Sequence, residues 1–241
     1  MEASYLIRLD KFLANMGMGT RKEVKKLVSY GKVSVNEVII KDSGLQINEN
    51  ADKVCVDGEV ISFKPFVYIM MNKPAGVLSA SEDARGAVCA ADLVADEYGH
   101  YNVSPAGRLD KDSEGFLLLT NDGEYIHNVI TPNKHVNKKY YCTLEKEIND
   151  EDIKAFEKGI SFMDGTLCMP AKLEHVEGDE KAAYVTIHEG KFHQVKKMFL
   201  ARGNKVLYLK RIQIGSVMLD DELEAGMYRE MTEEEKESIF K

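Results

Sequence analysis

The chain has 241 residues, 44% of them hydrophobic and 30% charged, which suits one large or two smaller soluble globular domains and argues against a disordered chain. No apolar run approaches the ~18 residues that would span a bilayer. The N-terminal stretch, with Glu2, Arg8, Asp10 and Lys11, reads neither as a secretory signal nor as an Arg-rich transit peptide, so a cytoplasmic protein without a membrane partner is expected. Cys55, Cys89, Cys142 and Cys168 form no CxxC pair, so reduced, structural thiols are expected rather than a zinc site or a redox pair.

The formal net charge of −8 would speak against a nucleic-acid partner if the charges were evenly spread, and they are not. Between positions 8 and 32, Arg8, Lys11, Arg21, Lys22, Lys25, Lys26 and Lys32 stand against only Asp10 and Glu23. Between 190 and 211 there are seven basic residues and no acid, whereas 220–241 holds nine acids against three bases. Screening over about 8 Å lets a phosphate feel a nearby basic patch more than a distant acidic tail. The two basic segments keep RNA or DNA open as partners, and charge alone equally allows two solvated helix faces.

In chain order, Leu9, Phe12, Leu13 and Met16 have the spacing of an amphipathic helix that Gly17 and Gly19 end. Thr20 to Glu23 is a T-x-x-E capping box opening a second helix, with Val24, Leu27 and Val28 inward and Lys22, Lys25 and Lys26 outward. Gly31 closes it. Short strands follow at 32–35 and 38–40 about Asn36-Glu37, and a hairpin at 54–56 and 59–61 about Asp57-Gly58. The stretches RLDKFL (8–13), TRKEV (20–24) and GKVSVN (31–36) resemble the S4 (α-L) RNA-binding domain. That resemblance implies that the basic helical face grips structured RNA through phosphates and shape, with Arg8, Arg21, Lys22, Lys25, Lys26 and Lys32 as contacts. The expected division is 1–61 for this domain, 62–66 for a linker and 67–241 for a larger domain.

Beyond the linker, 66–71 reads as a buried strand, Asn72 to Gly76 as a turn, and 116–120 as an apolar strand stopped by Asn121-Asp122-Gly123. Further strands are expected at 139–144, 183–188 and 206–210, and helices at 150–158 and 194–202. Strands and helices without regular βαβ alternation favour an α+β fold.

Three stretches carry candidate chemistry. The first, GRLDKDSEG (107–115) followed by FLLLTNDG (116–123), is a polar loop feeding a buried strand; its Asp110 could be a presented carboxylate or merely a helix cap. The second is KKYYCTL (138–144), where Tyr140 or Tyr141 could equally be half-buried strand tyrosines. The third is EGKFHQVKKMF (189–199). His188, just before it, and His193 within it stand one residue too far apart for an HExxH zinc helix, so no metal site is expected.

In this order, and with NKPAGV (72–77) and the ending LDDELEAGMYREMTEEE (219–235), these stretches resemble the pseudouridine synthases of the ribosomal small-subunit group over nearly the whole chain. The resemblance implies a catalytic domain with a mixed, largely antiparallel sheet flanked by helices and loops. It implies Asp110 as nucleophile, Tyr140 as the ring that stacks on uracil and assists proton transfer, and Lys196 as the basic partner of Asp110. Arg108 would support the loop and fill the space left by the extruded base, and His193, Gln194 and Lys197 would contact RNA. No cofactor is expected, because the isomerisation needs neither redox change nor an external group. The expected substrate is 16S ribosomal RNA, at position 516, within a small-subunit assembly intermediate. A 23S rRNA isomerase of the same superfamily, or a non-catalytic S4-type assembly protein, are the alternatives.

Overall fold

The structure, a computed structural model, describes residues 6–61 and 64–241. The chain divides into two compact units, Met1–Phe66 and Val67–Lys241. Glu2, in the N-terminal stretch, and residues 62 and 63 of the expected linker lie outside the described residues.

The first unit contains β1 (Leu6–Arg8), α1 (Leu9–Asn15), α2 (Arg21–Ser29), β2 (Val33–Val35), β3 (Val38–Ile39), β4 (Gln46–Asn48), β5 (Val54–Val56) and β6 (Glu59–Ile61). β2, β3, β5 and β6 form an antiparallel sheet in the order β3-β2-β5-β6, and β1 pairs with β4. Leu9, Phe12, Leu13, Val24 and Val28 bury against Val33, Val35, Ile47 and Val54, so the helical spacing in the sequence is the packing stripe. The capping box forms: Glu23 N–H donates to Thr20 Oγ1 (3.3 Å) and Thr20 N–H to Glu23 Oε2 (2.8 Å). With the apolar stripe inward, Lys22, Lys25 and Lys26 are exposed. Asp10 is fully buried and receives Arg8 and Arg21 at 3.1 Å, with Lys25 at 4.0 Å. The Arg8 hydrogen bond, helped by Arg21 and opposed by burial, holds the Asp10 carboxyl down to about 2.

The second unit contains β7 (Tyr68–Lys73), α3 (Ala95–Tyr98), β8 (Ser104–Pro105), β9 (Glu114–Thr120), α4 (Gly123–Ile130), β10 (Lys138–Leu144), α5 (Asp150–Lys158) and β11 (Lys172–Val176). It continues with β12 (Asp179–Ile187), α6 (Gln194–Ala201), β13 (Val206–Ile214), β14 (Val217–Met218), β15 (Tyr228–Glu230) and α7 (Glu233–Ser238). The fold is α+β, built on one sheet ordered β11-β12-β10-β13-β9-β7-β15, with β14 on β13 and β8 on β9. Among the described residues its pairs are antiparallel except β9 with β13. β9 is apolar at consecutive positions because both its faces are covered: Phe116 and Leu118 enter one core cluster, Leu117 and Leu119 another. A third cluster packs α5 and α6 against the face that carries Tyr140, Cys142 and Leu144.

Two local expectations are corrected, and two further readings are sharpened. Asn72 and Lys73 belong to β7, and the turn starts at Pro74, because both side chains are buried and bonded inward. The strand expected at 66–71 starts at Tyr68, leaving Phe66 exposed. Asn121-Asp122-Gly123 does not merely stop β9, since Asp122 accepts from Tyr125 N–H (3.0 Å) and so caps α4. Asp110 caps no helix; its loop runs directly into β9.

One register row crosses the sheet through Lys73, Gly115, Arg211, Tyr140 and Val185. Gly115 adopts φ +99°, and a Cβ there would stand 2.2 Å from the Arg211 carbonyl oxygen. Only glycine admits so close a parallel neighbour. Gly115→Ala is expected to destabilise this unit by about 2–4 kcal/mol, read as a lowered urea midpoint with unchanged slope.

Candidate active site

The loop that carries Asp110 has no regular structure, so its rigidity comes from side chains that reach its backbone. Ser79 Oγ donates to Leu109 C=O and accepts from Leu109 N–H, both at 3.0 Å, and so pins the residue before Asp110 from both sides. Ser113 N–H donates to Asp110 C=O (3.1 Å) and closes the turn behind it. Lys73, wholly inaccessible, donates to the carbonyls of Pro74 (2.9 Å), Ser113 (2.8 Å) and Lys111 (3.4 Å). Burial pushes its amine down to about 8, against the pull of the Glu114, Asp112 and Asp110 carboxylates. Asn72, next to Lys73 at the same end of β7, donates to Leu223 C=O (2.7 Å).

Helix α6 supplies the cations. The turn before it is held by Glu189, which is buried and accepts from Met169 N–H (2.8 Å), from the Gln194 amide (2.8 Å) and from Lys191. Burial opposes the charged form of Glu189, but these three donors hold its carboxyl below the usual range. His193, in a left-handed conformation (φ 52°), turns the chain into α6. Its Nε2 lies 3.6 Å from Asp110 Oδ1. Three residues on, Lys196 Nζ stands 3.0 Å from Asp110 Oδ2 and 2.6 Å from Asp112 Oδ1. Burial works against its charge, but the two carboxylates outweigh it and raise its pKa above the ordinary lysine value.

The sheet makes the floor. Tyr140 is 7% exposed and Arg211, 3% exposed, is its register partner on β13. Arg211 donates through Nε to Phe116 C=O (2.7 Å) and through Nη1 to the Tyr140 hydroxyl (3.5 Å), and its Nη2 has no hydrogen-bond partner among the described residues. Lys138, also buried, donates to Val129 C=O (2.9 Å). Floor, loop and turn enclose a cleft of about 370 Å³, lined by Arg108, Asp110, Tyr140, Phe192 and His193 among others. This is the scale of a small-molecule or nucleotide pocket.

The structure therefore brings Asp110, Tyr140, Arg108 and His193 to one cleft, with Lys196 beside it through its ion pair to Asp110. Gln194 also borders it, but is buried, with its amide held by Glu189 and by the Lys191 backbone. Lys197 turns toward Asp164 (3.9 Å). Tyr141 points the other way, toward Tyr184 and Tyr208, with ring centroids at 5.9 and 6.4 Å. The N-terminal cations, Arg8 through Lys32, belong to the first unit. Ser79, Arg211 and Phe192 were not singled out by the sequence. Ser79 leaves no trace there; Arg211 is hidden in a charge run; Phe192 could have been noticed as an aromatic between Lys191 and His193 in a polar turn.

Residues 67–201 match the RNA pseudouridylate synthase family and residues 7–52 the S4 domain. This chain belongs to the RNA pseudouridylate synthase family and is an S4-bearing RNA pseudouridine synthase. It is 48% identical over 231 residues to an RNA pseudouridine synthase of Bacillus subtilis (strain 168), covering 95% of this chain and 96% of that one. It is 41% identical over 238 residues to ribosomal small subunit pseudouridine synthase A of Vibrio cholerae, covering 98% and 100%. A pseudouridylate synthase crystal structure superposes with a TM-score of 0.68 at 35% identity, covering 97% of this chain and 99% of that one.

Burial, with the Arg211 charge beside it, pushes the Lys138 amine down to about 8, against an ordinary 10.5. Between those values the unfolded chain holds more protons than the folded one, so this lysine makes wild-type stability rise with pH there. Lys138→Met removes that gain. Between pH 7.5 and 10.5 the variant's stability should therefore shift against wild type by a few kcal/mol, measured by urea unfolding at each pH.

Proposed function

We propose that the chain isomerises a uridine of ribosomal RNA to pseudouridine, in the 16S RNA at position 516, acting on a small-subunit assembly intermediate. The name of the Vibrio cholerae relative, matched along its full length, supports the small-subunit substrate. The observation that carries the catalytic assignment is Asp110, ion-paired to Lys196 at 3.0 Å, lining the same cleft as Tyr140.

The reaction breaks the N1–C1′ bond, turns the base and joins C5 to C1′. C5 loses a proton and N1 gains one, so the nucleotide's formula is unchanged. Asp110 is the nucleophile that attacks the nucleotide, and Lys196 holds the carboxylate in position for it. Tyr140 stacks on the uracil and assists removal of the C5 proton. A stacked uridine must be extruded to reach this cleft, at a few kcal/mol in lost stacking. Arg108, exposed at the rim, fills the vacated space, while Arg8, Arg21, Lys22, Lys25, Lys26 and Lys32 grip phosphates in the S4 unit. Asp10 holds Arg8, Arg21 and Lys25 together on that face. Residues 1–61 are the RNA-binding domain, 62–66 the linker and 67–241 the catalytic domain.

The direct test incubates 16S and 23S transcripts, and assembly intermediates, with wild type and Asp110→Asn, then maps pseudouridine by carbodiimide-stopped primer extension. Wild type should mark one 16S uridine and Asp110→Asn none. A mark on 23S alone would move the substrate, and blank profiles on both RNAs would make the protein a silent binder. Replacing Lys22, Lys25 and Lys26 with Ala should weaken RNA affinity and lower the slope of log K against log[salt] by about 2–3, read from filter-binding titrations. An unchanged slope would remove this helix from the RNA interface.

A further inference from the structure

Phe192 is 64% exposed, although the turn around it is tightly built. Its ring stacks on His193, with centroids 3.8 Å apart and planes at 21°. Lys197 Nζ lies 5.3 Å from the same ring's centroid and 5.2 Å from that of Phe162. The left-handed backbone at His193 lets one imidazole do two things: its ring lies against Phe192 while its Nε2 stands 3.6 Å from Asp110. A continuous path of two side-chain contacts thus runs from the Asp110 carboxylate to an outward aromatic ring on the cleft lining.

Such a ring does little for the fold, because most of its surface faces solvent. It is suited to a flat, apolar partner that arrives together with negative charge. Extruding a uridine uncovers a face of the base beside it. Aromatic side chains replace such lost stacking without regard to base identity, and a nearby cation suits the phosphates on either side. The first unit's basic helix offers no comparable aromatic–cation pair among the described residues.

We propose that Phe192, backed by His193 and flanked by Lys197, is a stacking platform for the unpaired nucleobase next to the target uridine. This rests on the assignment of the Asp110 cleft to that uridine. The subsite is sequence-tolerant and acts in substrate binding, not in the chemical step.

The probe is a synthetic RNA spanning the mapped uridine, with 2-aminopurine in place of its 5′ or 3′ neighbour, titrated with the full chain. Wild type and Phe192→Trp should bind alike and change the fluorescence of one of the two probes. Phe192→Ala and Phe192→Leu should raise Kd and KM roughly tenfold, leave kcat within about twofold, and abolish the fluorescence change. Binding by Phe192→Leu equal to wild type, a fluorescence change that survives in Phe192→Ala, or a fall in kcat at constant KM would overturn the platform. A wild-type chain that converts no uridine would instead overturn the assignment beneath it. Thermal melts of the variants, expected to match wild type, separate either result from misfolding.

Discussion

The catalytic unit depends on one ammonium group with no access to water. Lys73 ends β7 and gathers three carbonyl oxygens, from Pro74, Lys111 and Ser113, around its Nζ. Two of the three belong to the loop that bears Asp110. An irregular loop has no ladder of its own to satisfy its carbonyls, so a buried donor with three hydrogens both satisfies and fixes it. Ser79 does the same for the Leu109 backbone with one hydroxyl. The carboxylate is thus presented from a loop that is as constrained as the strands it joins. An aspartate placed on β9 itself would instead have its side chain committed to one of the two covered faces.

Around that carboxylate the charges are sorted by depth. Lys73, Lys138 and Arg211 lie buried and bond to backbone carbonyls or, for Arg211, also to the Tyr140 hydroxyl. Among the described residues none of the three is ion-paired to a carboxylate. The paired cations are nearer solvent: Lys196 with Asp110 and Asp112, Lys191 with Glu189. The cleft is therefore locally cationic in a chain of net charge −8. The acidic tail, meanwhile, uses much of its charge internally, as where Asp220 and Glu235 clamp Arg229 at 2.6 and 2.7 Å.

What could be read from the sequence follows from which forces leave a local mark. Helical spacing at Leu9, Phe12 and Leu13 and the Thr20–Glu23 box are short-range, and α1 and α2 form as read. Helix α5, expected at 150–158, has those bounds, because Asn149 caps it and Gly159 ends it. The pairing of Asp110 with Lys196, 86 positions apart, was legible only through motif resemblance, since no periodicity links a loop to a distant helix. Asn72 and Lys73 misled for a physical reason: polar residues before a proline read as a turn, yet here they are strand residues whose side chains are bonded within the unit. β11, β15, α4 and α7 were not anticipated; their cues are short caps and edge pairings, which count only once the rest of the sheet exists. Arg211 shows the same limit, since its position beside Tyr140 is a product of the β10–β13 register.

The closing strand of the sheet has a consequence for how the protein comes into being. β15 pairs with β7, joining Tyr228 to Met71 and Glu230 to Ile69, and Ile239 is buried against Gly215, where its carbonyl leaves no room for a Cβ. During translation, the strand that leads into Lys73 must wait for residues some 160 positions downstream before its outer edge is covered. The N-terminal unit has its own core and sheet and can take shape while the rest is still being made. A nascent chain thus completes its S4 unit first, and the sheet beneath its cleft only after residues 228–239 have cleared the exit tunnel.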